Sequence, residues 1–98
     1  MVTRIVKMIF RDEAVEAFTA LFDERKERIR ACPGCSHLEL WQDRKRPSVF
    51  FTFSRWDDEA ALDAYRRSPF FEETWTMTRA LFAERAEAWT VDAMHRLP

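Results

Sequence analysis

The chain has 98 residues, with 16 basic and 17 acidic side chains and a formal charge of −1. So even a balance, with no basic stripe, argues against nucleic acid as a partner, and no apolar run approaches the ~20 residues of a membrane span. A single glycine, Gly34, excludes a phosphate-cradling glycine-rich loop, so ATP, NAD or FAD held in the usual ways is not expected and no cofactor-binding residue is assigned. The length fits one domain over residues 1–98.

Met1 to Phe10 alternates as a strand does and lacks the small-residue cleavage site of a secretory leader, so the cytoplasm is the expected compartment. Asp12 is placed to cap a helix, in which Val15, Phe18, Leu21, Phe22 and Ile29 recur at helical spacing until about Ala31. Arg25 and Lys26 interrupt that stripe and read as a solvated helix end, with charge at a pocket mouth as the alternative. Pro33 and Gly34 stop the helix.

His37–Gln42 and Val49–Arg55 follow as two strands joined by the polar segment 43–48, a hairpin with a long connection. Val49, Phe51 and Phe53 share one face of the third strand; Phe50, Thr52 and Ser54 share the other. Asp57 or Asp58 can cap a short helix through Ala61, Leu62 and Tyr65. Ser68-Pro69 restarts the chain with a cap and a proline in the first turn. The next helix is predicted to carry Phe71, Trp75, Thr78 and Phe82 in one row and Phe70, Met77 and Leu81 in the row beside it. Ala88–His95 is the predicted last strand.

The order is β-α-β-β-α-β, an α+β ferredoxin-like pattern with a four-stranded antiparallel sheet and helices on one face. The other face must meet water or a partner. Nine phenylalanines, four tryptophans and one tyrosine are more aromatic bulk than so short a chain hides in its own core. The surplus points to a cavity, to a second subunit, or to both.

The stretches PGCSHLELWQD (33–43), FFTFSRWDDEAALDAYRRSPFF (50–71) and WTMTRALFAERAEAW (75–89) resemble the antibiotic biosynthesis monooxygenase (ABM) domain family of the dimeric α/β-barrel superfamily. The pattern of Ser54, Trp56, Tyr65, Arg66, Ser68, Phe71, Trp75, Phe82 and Trp89 carries the likeness. The resemblance implies a homodimer built by packing two sheets face to face, with a pocket in each subunit between sheet and helices. It implies cofactor-independent oxidation of a quinol-like or polycyclic phenolic substrate, with molecular oxygen as co-substrate. Relatives that degrade haem use an asparagine in the first strand and a histidine ligand on the second helical segment. This chain has no asparagine, and its two histidines, His37 and His95, fall on predicted strands two and four.

Within that expectation His37 is the candidate general base. Glu39, two residues on along a strand, faces the same side and can fix its tautomer. The alternative is a histidine paired for structural reasons on the dimer-facing side. Trp41, Phe51, Trp56, Phe71, Trp75 and Phe82 are candidate walls for a flat aromatic ligand, or plain core. Arg66 or Arg79 could neutralise a phenolate or superoxide-like anion, or simply be solvated; Tyr65 is expected to pack its ring and keep its hydroxyl wet.

Cys32-Pro-Gly-Cys35 matches C-x-x-C. It lies at a helix C-terminus, however, where the dipole opposes a thiolate, so no redox role or metal site is assigned to it. Two further functions stay open: a non-catalytic dimer that binds a hydrophobic small molecule, and an isomerase on the same scaffold. A third possibility is an interaction protein whose aromatics are consumed by the dimer seam. The spacing does not say which sheet face lines a pocket, because a one-residue slip exchanges the two.

Overall fold

The structure is a computed structural model that describes all residues from Met1 to Pro98. β1 (Val2–Phe10) leads through a short 3₁₀ turn (Asp12–Ala14) into α1 (Val15–Arg30). β2 (Cys35–Gln42) and β3 (Val49–Trp56) follow, then α2 (Glu59–Arg66), α3 (Pro69–Arg79) and β4 (Phe82–Val91). The sheet order is β2-β3-β1-β4 and every neighbouring pair is antiparallel, which is the ferredoxin-like arrangement.

Alternation along the strands decides which residues meet the helices. Met8, Phe10 and Phe50 point to the helical side and close on Phe18 of α1 in the main core cluster. Cys35, Trp56 and Leu62 form a second cluster where β2, β3 and α2 meet. Only 15 of the 98 residues are buried, a thin core for so aromatic a chain.

Several local expectations hold. Asp58 caps α2 by accepting the Ala61 N–H at 2.8 Å. Ser68 Oγ accepts the Phe71 N–H at 3.1 Å, with Pro69 opening α3. Pro33 and Gly34 stop α1 through a tight turn in which the Cys35 N–H meets the Cys32 carbonyl at 3.0 Å. Gly34 sits there at φ +85°, as the third residue of a type II turn requires.

Other expectations are corrected. Asp12 does not cap α1: it lies inside the 3₁₀ turn, whose cap position belongs to Arg11, and no side chain caps either element. Arg25 is not solvated. It is 8% exposed and ties α1 to α3, donating to Thr74 Oγ1 at 2.8 Å and Glu73 Oε1 at 3.2 Å. Arg28 lies over the Phe70 ring at 4.1 Å and Arg25 at 5.8 Å, so arginines of α1 cover Phe70 of the second apolar row, while Met77 stays exposed and Leu81 packs on the core.

β4 begins at Phe82, six residues before the predicted start, and ends at Val91, so His95 lies beyond it. The run Ala83–Glu87 has helix-forming composition, but the sheet overrides it. The Arg11 N–H bonds the Leu81 carbonyl at 3.1 Å, and Phe82 pairs with Phe10. Two register shifts between β1 and β4 absorb the mismatch. β2 also starts earlier than predicted, at Cys35, and β3 extends to Trp56.

Candidate functional site

A cavity of about 300 Å³ lies between the helical face of the sheet and the three helices. Its floor is the inward row of the strands: Arg4, Val6 and Met8 of β1, Thr52, Ser54 and Trp56 of β3, with Leu38 and the small Ala86 and Ala88 at the sides. Small residues on β4 leave the space that larger ones would fill. Arg66 and Ala88 are lining residues that remain exposed.

The wall is a chain of rings in contact. Trp56 and Tyr65 stack with centroids 4.8 Å apart; Tyr65 meets Phe71 edge to face at 5.1 Å; Phe71 and Trp75 lie parallel within 9° at 6.0 Å. Trp75 then meets Phe82 at 5.6 Å, and Phe82 meets the core ring Phe10 at 5.4 Å. Contacts of this kind fix ring orientation as well as burying area. Trp56 is 1% exposed and satisfies its indole N–H on Ser54 Oγ at 3.0 Å.

Polar groups punctuate the apolar lining. Thr74 Oγ1 accepts from Arg25, and the Thr78 hydroxyl donates to the Thr74 carbonyl at 2.8 Å. Arg4 donates to Thr90 Oγ1 at 2.9 Å. Arg4 and Arg66 are the two charged lining residues; no carboxylate and no histidine lines the space. Burial lowers the Arg4 pKa, the positive charge of Arg66 adds to that, and Asp63 opposes it. The Tyr65 hydroxyl is not the solvated group expected: burial holds the phenol well above its usual range, reinforced by the Cys32 and Cys35 thiols.

Of the residues singled out from sequence, Trp56, Tyr65, Arg66, Phe71 and Trp75 converge on this cavity. Phe82 stands behind the wall, against Trp75 and Phe10. Arg79 is exposed at the end of α3, outside the lining. His37, Glu39, Trp41 and Phe51 lie on the opposite face of the sheet. Register is the cause: Glu39 pairs with Phe53 and Trp41 with Phe51, and this row points outward while Leu38, Thr52 and Ser54 point in.

His37 and Glu39 do pair, through Nε2 and Oε2, and Trp41 Nε1 donates to the other Glu39 oxygen at 2.8 Å. These bonds hold the Glu39 carboxyl below its usual range, with His37 the larger influence. Trp41 stacks on Phe53 at 5.0 Å. The pairing expected of a general base and its orienting carboxylate is therefore present, but on a half-exposed sheet surface away from the cavity.

Sequence reasoning missed Arg4 and the hydroxyls of Thr52, Thr74 and Thr78. For Arg4 a signal existed: it breaks the otherwise apolar even-numbered row Val2, Val6, Met8, Phe10. The two cysteines do not form a reactive pair. Cys32 Sγ donates to the Arg28 carbonyl at 3.2 Å, Cys35 Sγ approaches the His37 carbonyl, and burial pushes both thiols up. No three His, Cys, Asp or Glu side chains converge as a metal site, and no helix is long and apolar enough to cross a membrane.

The family model described as antibiotic biosynthesis monooxygenase matches residues 1–76. A protein of Synechocystis, the uncharacterized sll1783, is 33% identical over 72 residues. That match covers 74% of this chain and 49% of the relative, so the chain spans about half the length of the curated relative it matches. A solved antibiotic biosynthesis monooxygenase is similar with TM-score 0.90 and 26% identity, over 97% of this chain and all of the other. Rv0793 from Mycobacterium tuberculosis gives TM-score 0.88 at 23% identity, over 99% of this chain and 98% of that one. SnoaB from Streptomyces nogalater, described as a cofactor-independent oxygenase, gives 0.89 at 23% identity, over 99% and 96%. At these last identities the likeness is one of fold.

Proposed function

Because the chain belongs to the antibiotic biosynthesis monooxygenase family, we propose that it is a cofactor-independent monooxygenase oxidising a flat quinol-like or polycyclic phenolic substrate in this cavity. The observation that carries the reading is the continuous ring wall from Trp56 through Tyr65 and Phe71 to Trp75. Flat rings of fixed orientation select a flat ligand, because offset stacking rewards planarity. The description of SnoaB as cofactor-independent supports the same mode of oxidation.

In the reaction the substrate supplies the electrons. A phenol or anthrone loses a proton to solvent water, and the resulting anion reduces O₂. For an anthrone, the methylene carbon loses two hydrogens, one oxygen atom becomes the new carbonyl, and the other leaves as water. No lining side chain is a carboxylate or a histidine, and burial keeps Tyr65 protonated. The protein therefore acts by stabilising the substrate's own anion beside Arg4 and Arg66, and by orienting its ring in a water-poor site.

His37 and Glu39 take a different place. With Trp41, Phe51, Phe53 and Trp89 they belong to the outer sheet face, which in this reading packs against a second copy to form a homodimer. Trp41 and Trp89 are 40% and 43% exposed in the single chain, so a partner has large apolar area to cover.

The test is oxygen consumption with a panel of anthrones and hydroquinones. Uptake of one O₂ per substrate without added metal or flavin is expected, with Trp75→Ala slower than the parent and His37→Ala close to it. A second reading, a non-catalytic module holding a hydrophobic metabolite, is favoured by the lack of a lining general base. Binding of the panel with no oxygen uptake would establish that reading instead.

A further inference from the structure

The ring wall accounts for the flatness of a ligand, and the anion formed in the reaction gives Arg4 and Arg66 a counter-charge only transiently, so both stand without one when a ligand first binds. Arg4 on β1 and Arg66 at the end of α2 both line the cavity, which contains no acidic side chain. Neither belongs to any of the ion pairs of the molecule, although it carries 17 acidic residues. Arg4 is half-buried, with one donor engaged by Thr90. Asp63 acts on it only through space.

Both guanidinium groups line one largely apolar hollow, and the positive charge of Arg66 is felt at half-buried Arg4 with no acidic lining residue to balance it. An anion on the ligand would supply that balance. From this we infer that the cavity takes an aromatic ligand bearing a carboxylate, which Arg4 and Arg66 hold while the ring lies against the aromatic wall.

A carboxylate suits the site better than a larger anion. It is planar, accepts paired N–H bonds from a guanidinium fork, and carries one charge. Asp63 nearby offsets part of the local positive charge, which leaves room for a monoanion rather than a dianion. Register places the anion too: Arg4 sits opposite Ser54 on β3 and Thr90 on β4, one row along from Val6, Thr52 and Ala88. The charged group would therefore lie at the Ser54–Thr90 level of the floor, and the ring over the Val6–Thr52 level.

This inference deepens the reading of the cavity as a substrate site and rests on it. A calorimetric titration compares a naphthoate with its methyl ester, two probes with the same ring that differ in charge. The naphthoate is expected to bind about tenfold or more tightly at low salt, since hydrogen bonds to charged groups exceed neutral ones, and added salt should narrow the gap. Arg66→Gln changes an exposed helix position and should close most of the gap while leaving ester affinity unchanged. Arg4→Gln, checked for folding by circular dichroism, should do the same.

Equal or tighter binding of the ester would overturn the inference. So would a gap that survives in Arg66→Gln and in folded Arg4→Gln, or the failure of both probes to bind. The readout is separate from catalysis: a carboxylate preference without oxygen uptake keeps this inference and removes the oxygenase. Oxygen uptake from an uncharged quinol, with no preference between the probes, does the opposite.

Discussion

Trp56 donates its indole N–H to Ser54 Oγ at 3.0 Å, with the two side chains 1% and 7% exposed and both on the inward row of β3. The bond lets a large ring with one polar atom close the cavity floor without an orphaned donor. Ser54→Ala removes the acceptor and leaves the N–H buried. The expected cost is roughly 1–3 kcal/mol, the penalty of an unsatisfied buried polar group. Urea unfolding followed by tryptophan fluorescence would read it as a lower midpoint at unchanged slope. A midpoint equal to the parent would mean that the indole finds another partner.

Gly34 gives a sharper case. Its φ of +85° already disfavours a side chain, and a Cβ placed there would lie 2.5 Å from the Ala61 Cβ. Gly34→Ala is expected to cost more than about 1 kcal/mol from backbone strain alone, with the clash against α2 added. Ala61→Gly removes the clash but not the strain. In a double-mutant cycle the pair should therefore couple favourably, Gly34→Ala costing less on the Ala61→Gly background. Independent effects would show that α2 simply moves aside.

How much of this was legible before the structure differs by element. The caps at Asp58 and Ser68-Pro69 were readable because each is a local side-chain-to-backbone bond. β4 was misplaced because Ala83–Glu87 has helical composition, and only its pairing with β1, more than seventy residues away in the chain, makes it a strand. Arg25 looked solvated because its partners, Glu73 and Thr74, come from another helix. Five of the proposed wall and anion residues did converge. They sit on α2, α3 or the end of β3, where helical spacing or the neighbouring caps fix the side that faces the sheet. His37, Glu39, Trp41 and Phe51 did not, because a period of two identifies companions on a strand without identifying which side holds the helices.

Tyr65 is the chain's one tyrosine, so its ionisation can be followed without overlap from other phenols. Burial holds it protonated well above the usual range. The sign follows from the raised native pKa. Below the unfolded phenol pKa of about 10 both states are protonated and the contribution is fully present. As pH rises past it, the unfolded chain loses a proton that the native one keeps, and stability falls. Absorbance of the phenolate should stay flat through that range and then rise together with the loss of tryptophan packing. A separate, earlier titration of Tyr65 in the folded protein would mean that its hydroxyl reaches water. A ligand stacked on the wall should delay the combined transition further.

The outer sheet face makes its own demand. Trp41 stacks on Phe53, and His37 meets the same ring edge-on at 5.8 Å. Across the sheet, Ile5 pairs with both Phe53 and Trp89, and Trp41 lies on Phe53, so apolar side chains from all four strands meet in one band beside Glu39. Arg55 lies in this band with its Nε buried and without a hydrogen-bond partner. An exposed apolar patch of this kind marks an interaction surface. Facing a second copy, it can bury the ~800 Å² per partner typical of a stable interface. Light scattering should give twice the chain mass, and Phe53→Glu should shift the molecule to a monomer, because it puts a charge at the centre of the band. Helical circular dichroism should survive that change, since Phe53 faces away from the core on which the helices rest. A monomeric parent, or a Phe53→Glu protein that stays dimeric, would mean that the face is covered in some other way.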